Sequence, residues 1–103
     1  MDIQNIIRAI DTRNYRITHH ADEEAQKDDL DLEEIFYSVR HGEVIENYPE
    51  DRPYPSCLIY GTNADGAPIH SVWAYAGVNQ QAILVPVYRP DPMRWINWRE
   101  RRT

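Results

Sequence analysis

The hydrophobic residues change their spacing once along this chain, at Gly42, and that change limits the folds open to it. Before Gly42, apolar residues recur every three or four positions, which is typical of amphipathic helices. After Gly42 they alternate with polar residues, which is typical of strands that bury one face. A block of helices followed by a block of strands predicts an α+β fold, with the helices packed on one face of the sheet.

Two or three helices are predicted in the N-terminal part. The first spans about residues 2–11, with Asp2 as its N-cap. NYRITHH then favours a short strand, and HHADEEAQKDD favours a brief polar helix. The last helix begins after Asp31, which caps it, and ends at Gly42. Its apolar stripe consists of Leu32, Ile35, Phe36 and Val39.

Four strands are predicted after Gly42, in the segments EVIENY, SCLIYGT, PIHSVWAYA and AILVPVY. The turn NADG at 63–66 and the link GVNQQ at 77–81 are short, so consecutive strands should pair as an antiparallel meander. The predicted sheet therefore has four to five antiparallel strands. A short C-terminal helix should follow, with Asp91 as N-cap, Pro92 at its first position, and Trp95 and Trp98 docked on the sheet.

The strand PIHSVWAYA has two different faces. One carries Ile69, Ser71, Trp73 and Tyr75, and the other carries His70, Val72, Ala74 and Ala76. The smaller side chains of the second set favour contact with the helices. The first set, together with Tyr60, would then form a free aromatic surface for a ligand or a protein partner.

Length and charge bound the remaining choices. One hundred and three residues make one domain, 1–103. Residues 1–51 hold fourteen acids and five bases, whereas residues 52–103 hold three acids and six bases. This asymmetry predicts a basic working face beside an acidic flank, or simply a solvated acidic helix and a basic tail. The lone Cys57 favours a buried thiol and a cytoplasmic location, and no segment is apolar enough to span a membrane.

Histidines and arginines are the residues most suited to chemistry here. His20 precedes the polar helix and His70 lies near the start of a central strand. Two such groups suffice for metal-independent RNA cleavage, in which one takes the 2′-hydroxyl proton and the other protonates the leaving oxygen. Arg52 or Arg89 would stabilise the phosphorane, and Tyr88 would donate a proton or stack a base. The alternative is that these histidines are structural.

No metal or cofactor is expected. His19 and His20 are adjacent, so they cannot both point at one ion from a regular element, and no glycine-rich phosphate loop or paired-cysteine motif is present. The stretch YPEDRPYPS is stiff because its three prolines lack backbone donors, which suits a sheet edge or a fixed loop. That stiffness would hold Asp51, Arg52 and Tyr54 in a set orientation at the rim of the site.

Four segments in this order, HHADEEAQKDDLDLEEI, GEVIENYPEDRPYPSCLIYG, GAPIHSVWAY and VYRPDPMRW, resemble the family called domain of unknown function 4258 over about residues 15–98. The resemblance implies a RelE/barnase-like fold and a toxin that cleaves messenger RNA and is neutralised by an antitoxin protein. The positions that match the family's pattern are His20, Asp51, Arg52, His70, Tyr88 and Arg89. Many members carry arginines in the polar helix, where this chain has Glu24 and Asp28.

Two functions are therefore expected from the sequence. One is a toxin-like domain that cleaves RNA without a metal, using His20, His70 and Tyr88 as catalytic groups. In that case Asp51, Arg52, Tyr54 and Arg89 would contact the substrate. The alternative is a non-catalytic, protein-binding or homodimeric domain that kept the fold and lost the nuclease activity.

Overall fold

The computed structural model describes residues 1–103 as three helices and a five-stranded sheet, followed by a small hairpin. The α+β prediction is confirmed. The elements are α1 (Ile3–Asp11), β1 (Tyr15–Ile17), α2 (His19–Lys27), α3 (Leu32–Arg40), β2 (Glu43–Tyr48), β3 (Ser56–Thr62), β4 (Pro68–Ala76), β5 (Gln81–Tyr88), β6 (Trp95–Ile96) and β7 (Glu100–Arg101).

The helices begin where side chains can accept their first free backbone N–H groups. The Asp2 carboxylate accepts from the Gln4 N–H at 2.9 Å, and the Asp31 carboxylate accepts from the Glu34 N–H at 2.8 Å. Glu34 in turn accepts from the Asp31 N–H, which completes a capping box. The predicted N-caps Asp2 and Asp31 are therefore confirmed.

The sheet is mixed, which corrects the antiparallel prediction. Its strand order is β1-β5-β4-β3-β2, and β1 pairs with β5 in parallel while the other pairs are antiparallel. The short β1 lies beside β5 although contacts between them join residues 67 positions apart, so the rule that neighbouring strands form a meander does not apply to it.

The C-terminal helix prediction is also wrong. Asp91 does begin a turn, because its carboxylate accepts from the Met93 N–H at 2.8 Å. The chain then forms the β6–β7 hairpin instead of continuing as a helix. Asn97 and Trp98 take positive φ values of 52° and 64°, which no right-handed helix contains.

The helices pack on the face of β4 opposite to the predicted one. Trp73 is fully buried in the main core, its indole N–H donates to the Ser71 hydroxyl at 3.0 Å, and Ile69 is equally buried. Tyr75 is half-buried against the same core. Ile69, Trp73 and Tyr75 of the predicted free surface therefore belong to the core, whereas Tyr60 lies on the opposite face beside His70. Alternation separates two faces of a strand, but it does not say which face the helices cover.

A close backbone contact joins α3 to β3. A Cβ atom on Gly61 would lie 1.9 Å from the carbonyl oxygen of Ser38, so only glycine allows this approach. The contact holds α3 directly against β3, between the central strand β4 and the edge strand β2. The other sheet face, here called the open face, carries no helix and is partly covered by the β2–β3 loop and the C-terminal hairpin.

Candidate functional site

A groove of about 260 Å³ runs across the open face beneath the β2–β3 loop. Its floor is apolar because every second residue of β4 and β5 points to this side of the sheet. The floor consists of Val72, Ala74, Ile83 and Val85. The rim carries the polar and aromatic groups, which are Arg16, Thr18, Asp51, Arg52, Tyr54 and Ser56.

The groove brings three predicted substrate-contacting residues together. Asp51, Arg52 and Tyr54 all line it, and they come from the proline-rich loop between β2 and β3. The Ser56 hydroxyl donates to the Asp51 carboxylate at 2.6 Å, and the Pro55 carbonyl accepts from the Tyr75 N–H at 3.1 Å. These contacts tie the loop to the sheet on one side of the groove.

Two arginines on the rim have no partner in the chain. Arg16 and Arg52 are exposed, and neither side chain makes an ion pair or a hydrogen bond. Arg40, Arg99 and Arg101, in contrast, pair with carboxylates. The groove therefore offers two free guanidinium groups, which can hold paired oxygens of a phosphate or a carboxylate.

Arg16 was not predicted from the sequence. It lies on β1 between Tyr15 and Ile17, which pack against the core, so its own side chain points to the open face. The only sign in the sequence that Arg16 faces away from the core is the alternation of side chains in Tyr15–Ile17. Three residues are too few to distinguish a paired strand from an extended loop.

His70 is buried in an aromatic cluster and both of its ring nitrogens are engaged. Nε2 lies 2.7 Å from the Trp98 carbonyl oxygen, and since a carbonyl can only accept, this nitrogen carries the proton. Nδ1 lies 3.3 Å from the Tyr88 hydroxyl, which can donate to it. The rings of Tyr60, Tyr88 and Trp95 meet the imidazole edge to face.

Burial lowers the pKa of His70, although the bond to the Trp98 carbonyl and the nearby Glu46 act in the opposite direction. His70 is therefore neutral in the folded protein near pH 7. Burial also raises the pKa of Tyr88, so its hydroxyl stays protonated. These two residues form one hydrogen-bonded unit, in which His70 is fully buried and Tyr88 is partly exposed.

Acid should destabilise the fold through His70. The folded state keeps this imidazole neutral, whereas the unfolded chain takes up a proton below the ordinary pKa of 6.5, so the free energy of unfolding falls as the pH drops through 6.5. Glu46, Arg101 and Tyr88 face the ring and do not titrate between pH 5 and 8. Urea unfolding at pH 5, 6, 7 and 8 should show a steeper loss for wild type than for His70→Gln, and equal slopes would contradict this account.

Arg89 uses its donors for hydrogen bonds within the chain. Its side chain donates to the carbonyl oxygens of Asp28 and Asp29 at 2.9 Å and 3.3 Å, and its backbone N–H donates to the Asp28 carboxylate. It also lies 3.7 Å from Glu34. Arg89 thus holds the link between α2 and α3 against the end of β5, and it lines a separate polar cleft with Tyr88 rather than the groove.

His20 lies apart from both places. It is at the start of α2, its side chain is largely exposed, and it forms an ion pair with Glu24. It lines neither the groove nor the polar cleft. The predicted site residues therefore divide into a groove group (Asp51, Arg52 and Tyr54), a covered group (His70 and Tyr88, with Arg89 beside them) and the exposed His20.

Two further findings concern the whole chain. No group of three or more histidine, cysteine, aspartate or glutamate side chains is arranged to hold a metal ion. None of the helices has the length and apolar character needed to cross a bilayer.

Comparison with known proteins gives one match. A family model described as "Domain of unknown function (DUF4258)" matches residues 17–89, which run from the end of β1 to the residue after β5. No curated protein and no solved structure matches the chain. The matched range includes the groove loop, His70 and Tyr88, and it ends before the C-terminal hairpin.

Proposed function

The chain belongs to the family named Domain of unknown function (DUF4258), and we propose that it is a toxin-like domain that binds single-stranded RNA on the open face of its sheet. One observation carries the proposal. Arg16 and Arg52, both without a partner in the chain, stand on the rim of a groove with an apolar floor. Free guanidinium groups beside an apolar surface suit a ligand with phosphates and flat rings.

Single-stranded RNA fits this surface better than a duplex. A base can stack on Tyr54 or on the apolar floor only when it is not paired within a helix. The floor lies between β1, which carries Arg16, and the β2–β3 loop, which carries Arg52. A base bound on the floor would therefore have an arginine on either side to hold its flanking phosphates. Of the acids in residues 1–51, only Asp51 lines the groove, where it accepts from the Ser56 hydroxyl, while Glu43 and Glu46 pair with arginines of the C-terminal hairpin.

The finer part of the proposal is cleavage by a RelE-like, metal-independent mechanism. A base would remove the 2′-hydroxyl proton, the oxygen would attack the adjacent phosphorus, and an acid would protonate the departing 5′-oxygen. Arg16 and Arg52 would stabilise the charge on the phosphorane. His20, His70 and Tyr88 remain the proposed catalytic groups, an antitoxin protein is the proposed partner, and the lone cysteine supports a cytoplasmic location.

A non-catalytic binding domain, monomeric or homodimeric, is the second candidate. The burial of His70 favours it, because both ring nitrogens are used within the chain and neither is free to transfer a proton to a ligand. The two candidates differ in what the open face binds, which is RNA that is cut in the first and a protein or a second copy of this chain in the second.

RNA binding is tested by removing the two free charges. We expect Arg16→Gln/Arg52→Gln to weaken binding of a fluorescent single-stranded RNA about 100-fold, since losing a hydrogen bond to a charged group costs about 1.5 kcal/mol for each arginine. Anisotropy at several salt concentrations should give a slope of log K against log salt of about −1.4 for wild type, as expected for two phosphate contacts. The slope should approach zero in the double variant.

Arg13→Gln/Lys27→Gln is the matched control, because both side chains are charged, without an ion-pair partner, and outside the groove. This double variant should bind RNA nearly as well as wild type. Equal weakening by the two double variants would show that RNA responds to overall charge alone, and would sink the groove proposal.

Cleavage is tested separately from binding. The RNA is incubated with wild type, His20→Gln and His70→Gln in the presence of EDTA, and wild type and His70→Ala are expressed in bacteria while messenger RNA is followed. Fragments from wild type alone would support the nuclease. Intact message and equal growth in both strains would remove the toxin and leave the binding domain.

A further inference from the structure

The C-terminal hairpin, residues Trp95–Arg101, lies over one end of the open face. Its two short strands form a sheet of their own and pair with no strand of the main sheet. The Trp95 ring meets the His70 ring at 4.5 Å, and the Trp98 carbonyl accepts from His70 at 2.7 Å. The hairpin is therefore the element that separates His70 from solvent.

Polar contacts near the surface attach most of the hairpin. Arg99 pairs with Glu43 at 2.5 Å and Arg101 pairs with Glu46 at 2.9 Å, with both arginine side chains more than half exposed. Arg99 also lies over the Tyr60 ring at 4.8 Å. Exposed ion pairs contribute little and are screened by salt. Trp95 is the only buried hydrophobic residue in the hairpin.

The turn of the hairpin is strained at the residue that covers His70. Asn97 and Trp98 both have positive φ, and the Arg99 N–H donates to the Ile96 carbonyl, which is the pattern of a type I′ turn. Glycine is favoured at the second of these positions, and a tryptophan rarely adopts it. The covering contact is thus made by a residue in an unfavourable backbone conformation.

The groove floor continues beneath the hairpin. His70 lies on the same face of β4 as Val72 and Ala74, and its partner across the sheet is Tyr88 of β5. The hairpin also lies outside residues 17–89, where the family match is found. The covered part of the open face thus lies within the matched residues, and the hairpin that covers it follows them.

We propose that the C-terminal hairpin is a displaceable cover, and that its displacement extends the RNA-binding groove to His70 and Tyr88. This inference rests on the proposed function for its ligand. RNA reaches the His70 ring, and with it the hydrogen-bonded His70–Tyr88 pair, only when the hairpin has moved. Arg99 and Arg101 are then free to exchange their carboxylates for phosphate oxygens. These added contacts are what lets RNA favour the displaced state.

Accessibility of His70 tests the cover without any RNA. Diethylpyrocarbonate modification, followed by mass spectrometry, compares buried His70 with exposed His41 in the same molecule. We expect wild-type His70 to react at least tenfold more slowly than His41, and 0.5 M salt to narrow this gap. Glu43→Gln/Glu46→Gln should raise the His70 rate about tenfold. Arg99→Gln/Arg101→Gln should do the same, although it changes the net charge in the opposite direction.

The control variant Asp11→Asn/Glu23→Gln removes the same number of carboxylates from exposed ion pairs elsewhere, those with Arg40 and His19. It should leave the His70 rate unchanged. A His70 rate that stays at the wild-type value in both hairpin variants and at high salt would overturn the cover. Circular dichroism confirms that each variant is folded before its rate is used.

RNA affinity tests the second half of the inference. Glu43→Gln/Glu46→Gln should bind single-stranded RNA about tenfold more tightly than the charge-matched control, because RNA no longer displaces two ion pairs. Added RNA should then protect His70 from modification. A faster His70 rate with no gain in affinity over the control would overturn the extension of the groove. Failure of the proposed function itself would appear independently, as unaltered RNA binding in Arg16→Gln/Arg52→Gln.

Discussion

Replacing Trp73 by alanine is expected to lower the free energy of unfolding by about 4 kcal/mol, a large part of the stability of a domain this size. The side chain is fully buried between the sheet and the helices, and its indole N–H bonds the buried Ser71 hydroxyl. Removing the indole ring loses its burial and opens a cavity, and the Ser71 hydroxyl loses the hydrogen bond that it accepts. Urea unfolding followed by far-ultraviolet circular dichroism measures the loss.

Trp73→Phe and Tyr54→Ala are the comparisons for this prediction. Phenylalanine keeps most of the ring volume, so Trp73→Phe should lose less than half of the unfolding free energy that Trp73→Ala loses. Tyr54→Ala removes an aromatic residue from the groove rim and should cost about 1 kcal/mol or less. If Trp73 lay on a free sheet face, as the alternation alone suggested, Trp73→Ala would cost no more than Tyr54→Ala.

Gly61→Ala should destabilise the fold by about 3 kcal/mol, because the added methyl group would overlap the backbone of α3. The nearest atoms are the carbonyl oxygen and carbon of Ser38, at 1.9 Å and 2.7 Å from the new Cβ. These are backbone atoms within a helix, so they cannot turn aside as a side chain would. The helix must move off β3, and its core contacts weaken with it.

Gly77→Ala is the matched control, because a Cβ atom at that position meets nothing within 4 Å. It should change the free energy of unfolding by no more than about 0.5 kcal/mol. The two variants carry the same chemical change and differ only in their surroundings. A similar small effect at both positions would contradict the close packing of α3 on β3.

Local patterns in the sequence were enough to predict the helices and the main strands. Asp2 and Asp31 identify helix starts because their carboxylates accept backbone N–H groups that the helix leaves free. The turn at Asn63–Gly66 was predicted from its glycine, which has a φ of 87°. Such features depend only on residues a few positions apart, so a sequence displays them directly.

Features that depend on distant residues were not predicted. Tyr15–Ile17 shows no sign that it pairs in parallel with β5. The segment after Asp91 has a good helix start, but docking Trp95 against His70 stabilises a hairpin instead. The burial of Trp95 outweighs the local preference for a helix after Asp91. Its partner His70 lies far away in the sequence, so a local pattern does not reveal this contact.

The candidate site shows the same division. Asp51, Arg52 and Tyr54 lie together because one stiff loop carries them, whereas Arg16 joins them only through the parallel strand pair. His70 was predicted to face the helices, but it lies on the open face and is covered by the C-terminal hairpin, which local patterns do not show. The catalytic roles of His20, His70 and Tyr88 stay predictions.

During synthesis β1 leaves the ribosome long before β5, the strand with which it pairs. The Thr18 hydroxyl reaches the Val85 carbonyl across 67 residues, and β1 has no other neighbour in the sheet. Joining segments so far apart costs chain entropy and slows folding. The groove, with Arg16 on one rim and Arg52 on the other, therefore forms only after β5 has emerged, so a growing chain exposes no finished copy of the proposed RNA-binding surface.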